Sequence, residues 1–155
     1  MLCACESERG KTVLFDDSGD QADTRIEQVL NALEIKDSKC LEELFSKQAL
    51  SEIDNFDEQT RDLFDLFQGT VDSWEQTGFT STEDIEGHKK MTKGISWYDV
   101  TTDENEFVFF MIDCFTDTQN PDNIGLYTLY VVNKDDEDSK LTCWENMEIA
   151  GVYTP

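Results

Sequence analysis

The residue best placed to do chemistry is Asp113, in the stretch "FVFFMIDCF" at 107–115. It shares strand parity with Phe109, Met111 and Phe115, so a strand here turns its carboxylate toward an apolar interior. Desolvation raises a carboxyl pKa, and such a group can serve as general acid or base. No second catalytic group can be placed beside it from the sequence. The alternative is a carboxylate that faces solvent, or pairs with a hydroxyl or backbone group near the end of a sheet. Seven aromatic side chains are candidates to line a pocket: Trp97, Tyr98, Phe109, Phe115, Tyr127, Tyr130 and Trp144. Their other use is simply to fill a core.

The cysteines of "MLCACESERG" pose a second chemical question. Cys3 and Cys5 supply two thiolates with no histidine or second pair nearby, short of the four ligands of a closed zinc site. They also lack the Cys-x-x-Cys spacing of a redox pair. They do fit a bacterial lipobox. Leu2 stands three residues before Cys5, Ala4 offers the small side chain a signal peptidase needs, and polar residues follow. Cys5 is then the lipid attachment point and residues 6–22 form a polar tether. A basic and apolar leader precedes such a box. Met1 stands where that leader should end, so either the sequence is trimmed or the match is accidental.

Other clusters read more simply. Asn120, Pro121, Asp122 and Asn123 lack the central glycine and terminal glutamate of a calcium loop, and Asx-type hydrogen bonds in a hairpin explain them better. Asp135, Asp136, Glu137 and Asp138 read as a solvated turn, and Asp99 as a residue fixing the hairpin after it. His88, Lys89, Lys90 and Lys93 could receive an anion, or protect an edge strand against sheet-to-sheet aggregation. The lone histidine has no serine or cysteine motif around it, so a nucleophilic triad has no support. Cys40, Cys114 and Cys143 are read as buried small side chains. No metal and no cofactor is expected.

The elements that must carry these residues follow from periodicity. Asp23-Thr24 with Glu27 makes a capping-box pattern, and Ile26, Val29, Leu30 and Leu33 share a helical face. Asp37-Ser38 starts a second helix through Leu41, Leu44 and Phe45. A third is expected from about Ser51 to Gln68, with Gly69 as its cap. Strands are expected near 71–79, 88–101, 106–117, 124–134 and 141–153, joined by hairpins at "TDEN", "QNPDN" and "KDDEDS". Strand 106–117 is apolar at both parities and should be central. Helices followed by a strand meander make an α+β domain over 23–155. With 155 residues the chain supports one sizeable core, and its net charge of −23 excludes phosphate backbones as partners. That field also repels anionic lipid headgroups, so membrane attachment requires an anchor.

"GISWYDVTTDENEFVFF" (94–110), "NPDNIGLYTLYVV" (120–132) and "AGVYTP" (150–155) resemble an uncharacterised family of Gram-positive bacterial lipoproteins, domain of unknown function 5104. The resemblance covers about residues 23–155, and Asn-Pro-Asp-Asn-x-Gly-Leu is its most specific part. It implies a nuclear-transport-factor-2-like, or cystatin-like, cone with three N-terminal helices packed on a curved antiparallel sheet. It also implies an extracytoplasmic protein, lipid-anchored to the cell membrane, and it supplies no catalytic residues. The expected function is a non-enzymatic module binding a small ligand, a peptide or another envelope protein through the cone or the sheet surface. A small enzyme using Asp113 is the alternative, and an accessory domain of an envelope complex a third possibility.

Overall fold

The computed structural model of the chain describes residues 17–141 and 144–155. The lipobox, Cys5, most of the expected tether and Cys143 lie outside the described residues. Helix α1 (Ser18–Glu34) buries Ala22, Ile26, Val29, Leu30 and Leu33 on one face, as their spacing predicts. It begins at Ser18, five residues before the expected onset, so the tether expected through Ala22 has become helix by then. Thr24 is not a cap: its hydroxyl donates to the Asp20 carbonyl one turn back. The helix closes in a Schellman arrangement, with Asp37 N–H on Ala32 O and Lys36 N–H on Leu33 O. Lys36, rather than a glycine, takes the left-handed position there at φ 52°.

Asp37 then caps α2 (Ser38–Leu44) by accepting from the N–H groups of Lys39 and Cys40. Ser46 caps α3 (Lys47–Glu52) by accepting from Ala49 N–H. The single helix expected over 51–68 is two, because the chain is non-helical from Ile53 to Asn55 before α4 (Phe56–Leu66). Asp54 and Asn55 compete with helical hydrogen bonding through their own side chains, so a break here costs little. Among the described residues four helices, not three, therefore precede the sheet.

The strands are β1 (Val71–Glu86), β2 (Lys89–Thr102), β3 (Glu106–Asp117), β4 (Gly125–Asn133) and β5 (Gly151–Tyr153). They form one sheet in the order β1-β2-β3-β4-β5, so β3 is central as its composition predicts. The first four pair antiparallel, and β5 lies parallel to β4. The strand expected over 141–153 is thus a correction. After β4 the chain makes a 3₁₀ turn (Lys134–Asp136), the short helix α5 (Glu137–Lys140) and another 3₁₀ turn (Trp144–Met147) before its last three strand residues. A parallel partner cannot be reached by a hairpin, so the acidic segment serves as a crossover.

The sheet buries both faces. Tyr98, Val100, Phe107, Phe109, Met111, Leu129, Val131 and Val152 join the helices in the main core. Phe110, Ile112 and Met147 form a smaller cluster with Ile95, Trp97, Tyr130 and Leu141. The crossover residues Leu141 and Met147 place that second cluster on the opposite face of the sheet. Lys134 Nζ pins the crossover down, donating to both Asp99 oxygens at 2.9 and 3.0 Å and pairing with Glu137 at 2.9 Å. Register shifts fall at 76/78 in β1, between Thr92 and Lys93 opposite β3, and at 112/113 opposite β4. Such bulges bend and twist a sheet. Among the described residues no helix is long and apolar enough to cross a membrane.

Candidate functional site

Asp113 is 2% exposed, on the helix-facing side of β3. Its partner is Arg25 of α1, which donates from Nε to Oδ2 at 2.6 Å and from Nη2 to Oδ1 at 3.5 Å. The alternative expected from the sequence, a carboxylate facing solvent or paired with a hydroxyl or backbone group, is corrected to a buried ion pair. A guanidinium holding both oxygens is a stronger anchor, and it fixes the rotation of α1 against the sheet. Burial pushes the Asp113 carboxyl above its ordinary value, and the Arg25 charge and hydrogen bonds oppose that rise. Two residues earlier on the same helix, Asp23 Oδ1 accepts from the Tyr98 hydroxyl at 2.8 Å and from Gln76 Nε2 at 3.1 Å. Gln76 Nε2 also donates to the Tyr98 oxygen at 2.8 Å. Burial raises the Tyr98 phenol, and the Asp23 carboxylate beside it adds to the rise, so this tyrosine stays protonated.

Beside the β3–β4 bulge a crevice of about 300 Å³ opens at the sheet's end. Its walls include Met91 and Lys93 of β2, Ile112, Asp113 and Cys114 of β3, and Tyr127 of β4. Tyr127 is the extra residue of β4, since Ile112 pairs with Thr128 and Asp113 with Leu126. Its hydroxyl donates to Glu52 Oε2 of α3 at 2.8 Å, which keeps the ring at the crevice wall. The Cys114 thiol is free and pushed up by burial, so it stays neutral and offers an apolar surface.

The seven aromatic candidates do not share one pocket. Tyr98 and Phe109 are fully buried in the main core, and Phe115 packs at its margin. Trp97 and Tyr130 lie on the opposite face around Phe110, and Tyr127 touches both clusters. Among these, Tyr127 lines the crevice. The side chain of Trp144 is outside what the structure describes.

The "QNPDN" segment is a turn built by Asp117, whose carboxylate accepts from Gln119 N–H, Asn120 N–H and Asn123 Nδ2, each at 2.9 Å. Asn120 Oδ1 accepts from Asp122 N–H, the expected Asx-type bond. These bonds hold the Asp117 carboxyl below its ordinary value, the Asn123 contact first. Among the described residues no group of three or more His, Cys, Asp or Glu is placed to hold a metal ion. The basic cluster is also corrected, because β2 lies between β1 and β3 and is no edge. Lys90 pairs with Glu83 on β1, and Lys93 faces the crevice.

Arg25 and Glu148, both at or beside the site, were not marked by sequence reasoning. Arg25 stands 88 residues from Asp113 in sequence, and nothing local announces that pair. No curated protein matches the chain. A family model described as a domain of unknown function (DUF5104) matches residues 28–134, which takes in Lys93, Asp113, Tyr127 and the Asp117 turn. That span is well over half of the 155 residues, and the chain belongs to the DUF5104 family.

Proposed function

We propose that the chain is a ligand-binding module of a lipid-anchored envelope protein, its helices and bent sheet arranged as a nuclear-transport-factor-2-like cone. The order of elements among the described residues, four helices and then an antiparallel meander with three bulged pairings, supports that arrangement. One observation carries the binding reading. Tyr98, Phe109 and Met111 fill the interior between helices and sheet at 1% exposure or less, while the crevice at the β3–β4 bulge stays open. A mixed apolar and polar concavity of this size, at the lower end of ligand sites, is suited to a small molecule or a short segment of a partner.

An enzyme using Asp113 is the second reading, favoured by the place of that residue at the crevice wall. Arg25 weighs against it. A carboxylate with both oxygens held by a guanidinium is poorly placed to exchange a proton with a substrate. Recovery of a bound ligand unchanged after prolonged incubation separates the two readings in favour of binding.

A thermal-shift screen of the chain against small amphiphiles, metabolites and short peptides tests the proposal. A ligand at 100 times its Kd stabilises the native state by about 2.7 kcal/mol. For a domain of this size that raises Tm by several degrees, at about 2–4 °C per kcal/mol. A screen in which no compound moves the Tm removes the binding reading. Attachment to the membrane has a separate test. Cells fed a labelled lipid precursor are expected to mark the protein, and Cys5→Ala to lose the mark; a mark that survives the substitution ends the anchor proposal.

A further inference from the structure

We infer that the crevice binds a short peptide as its zwitterion, with the peptide carboxylate on Lys93 and its ammonium on Glu148. The inference rests on the binding reading above and names the ligand class. Lys93 and Glu148 both line the crevice, and neither forms an ion pair among the described residues. The third charge at the wall, Asp113, is already matched by Arg25. Lys93 also feels the Asp117 carboxylate, but that group is engaged by three hydrogen bonds of its own turn, so Lys93 and Glu148 remain the two crevice charges without an ion-pair partner.

The size of the crevice bounds the ligand's length. Lys93 is in register with Cys114 across β2 and β3, and its charge acts on that thiol. Glu148 acts on the phenol of Tyr127, on β4. Both charges thus act on walls of the same crevice, Lys93 from β2 and Glu148 from the segment between the Trp144–Met147 3₁₀ turn and β5. An extended chain covers about 3.3–3.6 Å per residue, so a ligand of two or three residues keeps its two terminal charges apart within one crevice. A crevice of about 300 Å³ suits a ligand of that size. Between the charges, Met91, Ile112, the neutral Cys114 thiol and the Tyr127 ring give an apolar floor for one side chain.

The field of the whole molecule selects against simpler ligands. At a net charge of −23 an anion is repelled on approach, although Lys93 alone could hold it. A lone cation is attracted but leaves Lys93 facing like charge. A zwitterion has no net charge and answers both groups.

The test is calorimetric titration of the full chain with alanyl-leucine, its N-acetyl form, its C-terminal amide and free leucine. The free dipeptide is expected to bind, with each blocked form and leucine at least tenfold weaker. Lys93→Gln should equalise the acid and the amide, and Glu148→Gln should equalise the free amine and the acetyl form. Both residues are exposed, so both variants should keep the wild-type Tm without ligand. Blocked dipeptides that bind as well as the free one overturn the inference, as does an acid-to-amide ratio unchanged by Lys93→Gln. If the screen yields crevice ligands but the dipeptides do not bind, this inference fails and the binding module stands. If nothing binds at the crevice, both fail.

Discussion

Arg25→Ala is expected to destabilise the fold by about 3–5 kcal/mol at neutral pH, the usual cost of stranding a buried charge. The Asp113 side chain is 3% exposed and the Arg25 side chain 19%, so the carboxylate depends on the guanidinium for its charge partner. A merely structural loss of side-chain contacts would give a deficit indifferent to pH. The stranded carboxylate gives a different signature. Burial already holds the Asp113 carboxyl above its ordinary value, and losing Arg25 removes the groups that oppose this. In the variant the folded state therefore binds a proton that the unfolded state releases. Its stabilising effect is fully present below the ordinary carboxylate pKa of about 3.9 and is lost as pH rises through the folded value. Urea denaturation at several pH values should show the deficit shrinking toward acid. Asp113→Asn in the Arg25→Ala background should recover part of the loss. A deficit that is constant with pH, or that widens in acid, contradicts this account of the pair.

Gly125→Ala is expected to cost about 3 kcal/mol or more, the combination of about 1–3 for backbone strain and about 1–3 for overpacking. Gly125 sits at φ 128°, and a Cβ there would lie 2.7 Å from Ser46 N and 2.9 Å from Leu44 O. Those atoms are backbone and cannot swing away. The same junction carries the Ser46 N–H to Leu126 O hydrogen bond of 2.9 Å and the parallel bridge between Phe45 and Leu126. Gly87→Ala is the comparison, since that glycine at φ 64° in the β1–β2 turn has nothing within 4 Å of an added Cβ. It should cost only its conformational preference, about 1–2 kcal/mol. Equal effects of the two substitutions would show that the close approach at Gly125 carries no weight. The Asn-Pro-Asp-Asn-x-Gly-Leu stretch gains a physical meaning from this geometry. Its polar residues build the Asp117-anchored turn, and its glycine lets β4 meet the α2–α3 junction.

Local periodicity made much of the fold legible. The apolar faces of α1 and α2 and the central position of β3 follow from residues whose neighbours in sequence are also their neighbours in structure. Where the reading failed, a competing local preference or a distant partner decided. Thr24 and Glu27 look like a capping box, but Ser18 and Ala22 are buried against the core, and that packing extends α1 by a turn. The β-rich texture of 141–153 hid a crossover, because strand propensity says nothing about which partner is free. Trp97 and Tyr98 are consecutive on one strand, so alternation alone places them on opposite faces, and a single pocket could not have held both. Asp113 was visible as a buried carboxylate, but Arg25 was not, since a pair so distant in sequence is made only by the docking of α1. Lys93 was visible as a charge, and its role changed once β2 proved to be an interior strand.

The binding reading is tested most directly by locating the ligand on the protein. Amide chemical shifts of the ¹⁵N-labelled chain should be followed while the strongest ligand from the thermal screen is added. Perturbations centred on Met91–Lys93, Ile112–Cys114 and Tyr127 are expected, with those of Trp97 and Tyr153, which do not line the crevice, small. Perturbations centred on the Trp97, Phe110, Tyr130 and Tyr153 aromatic face, with the crevice silent, would contradict it.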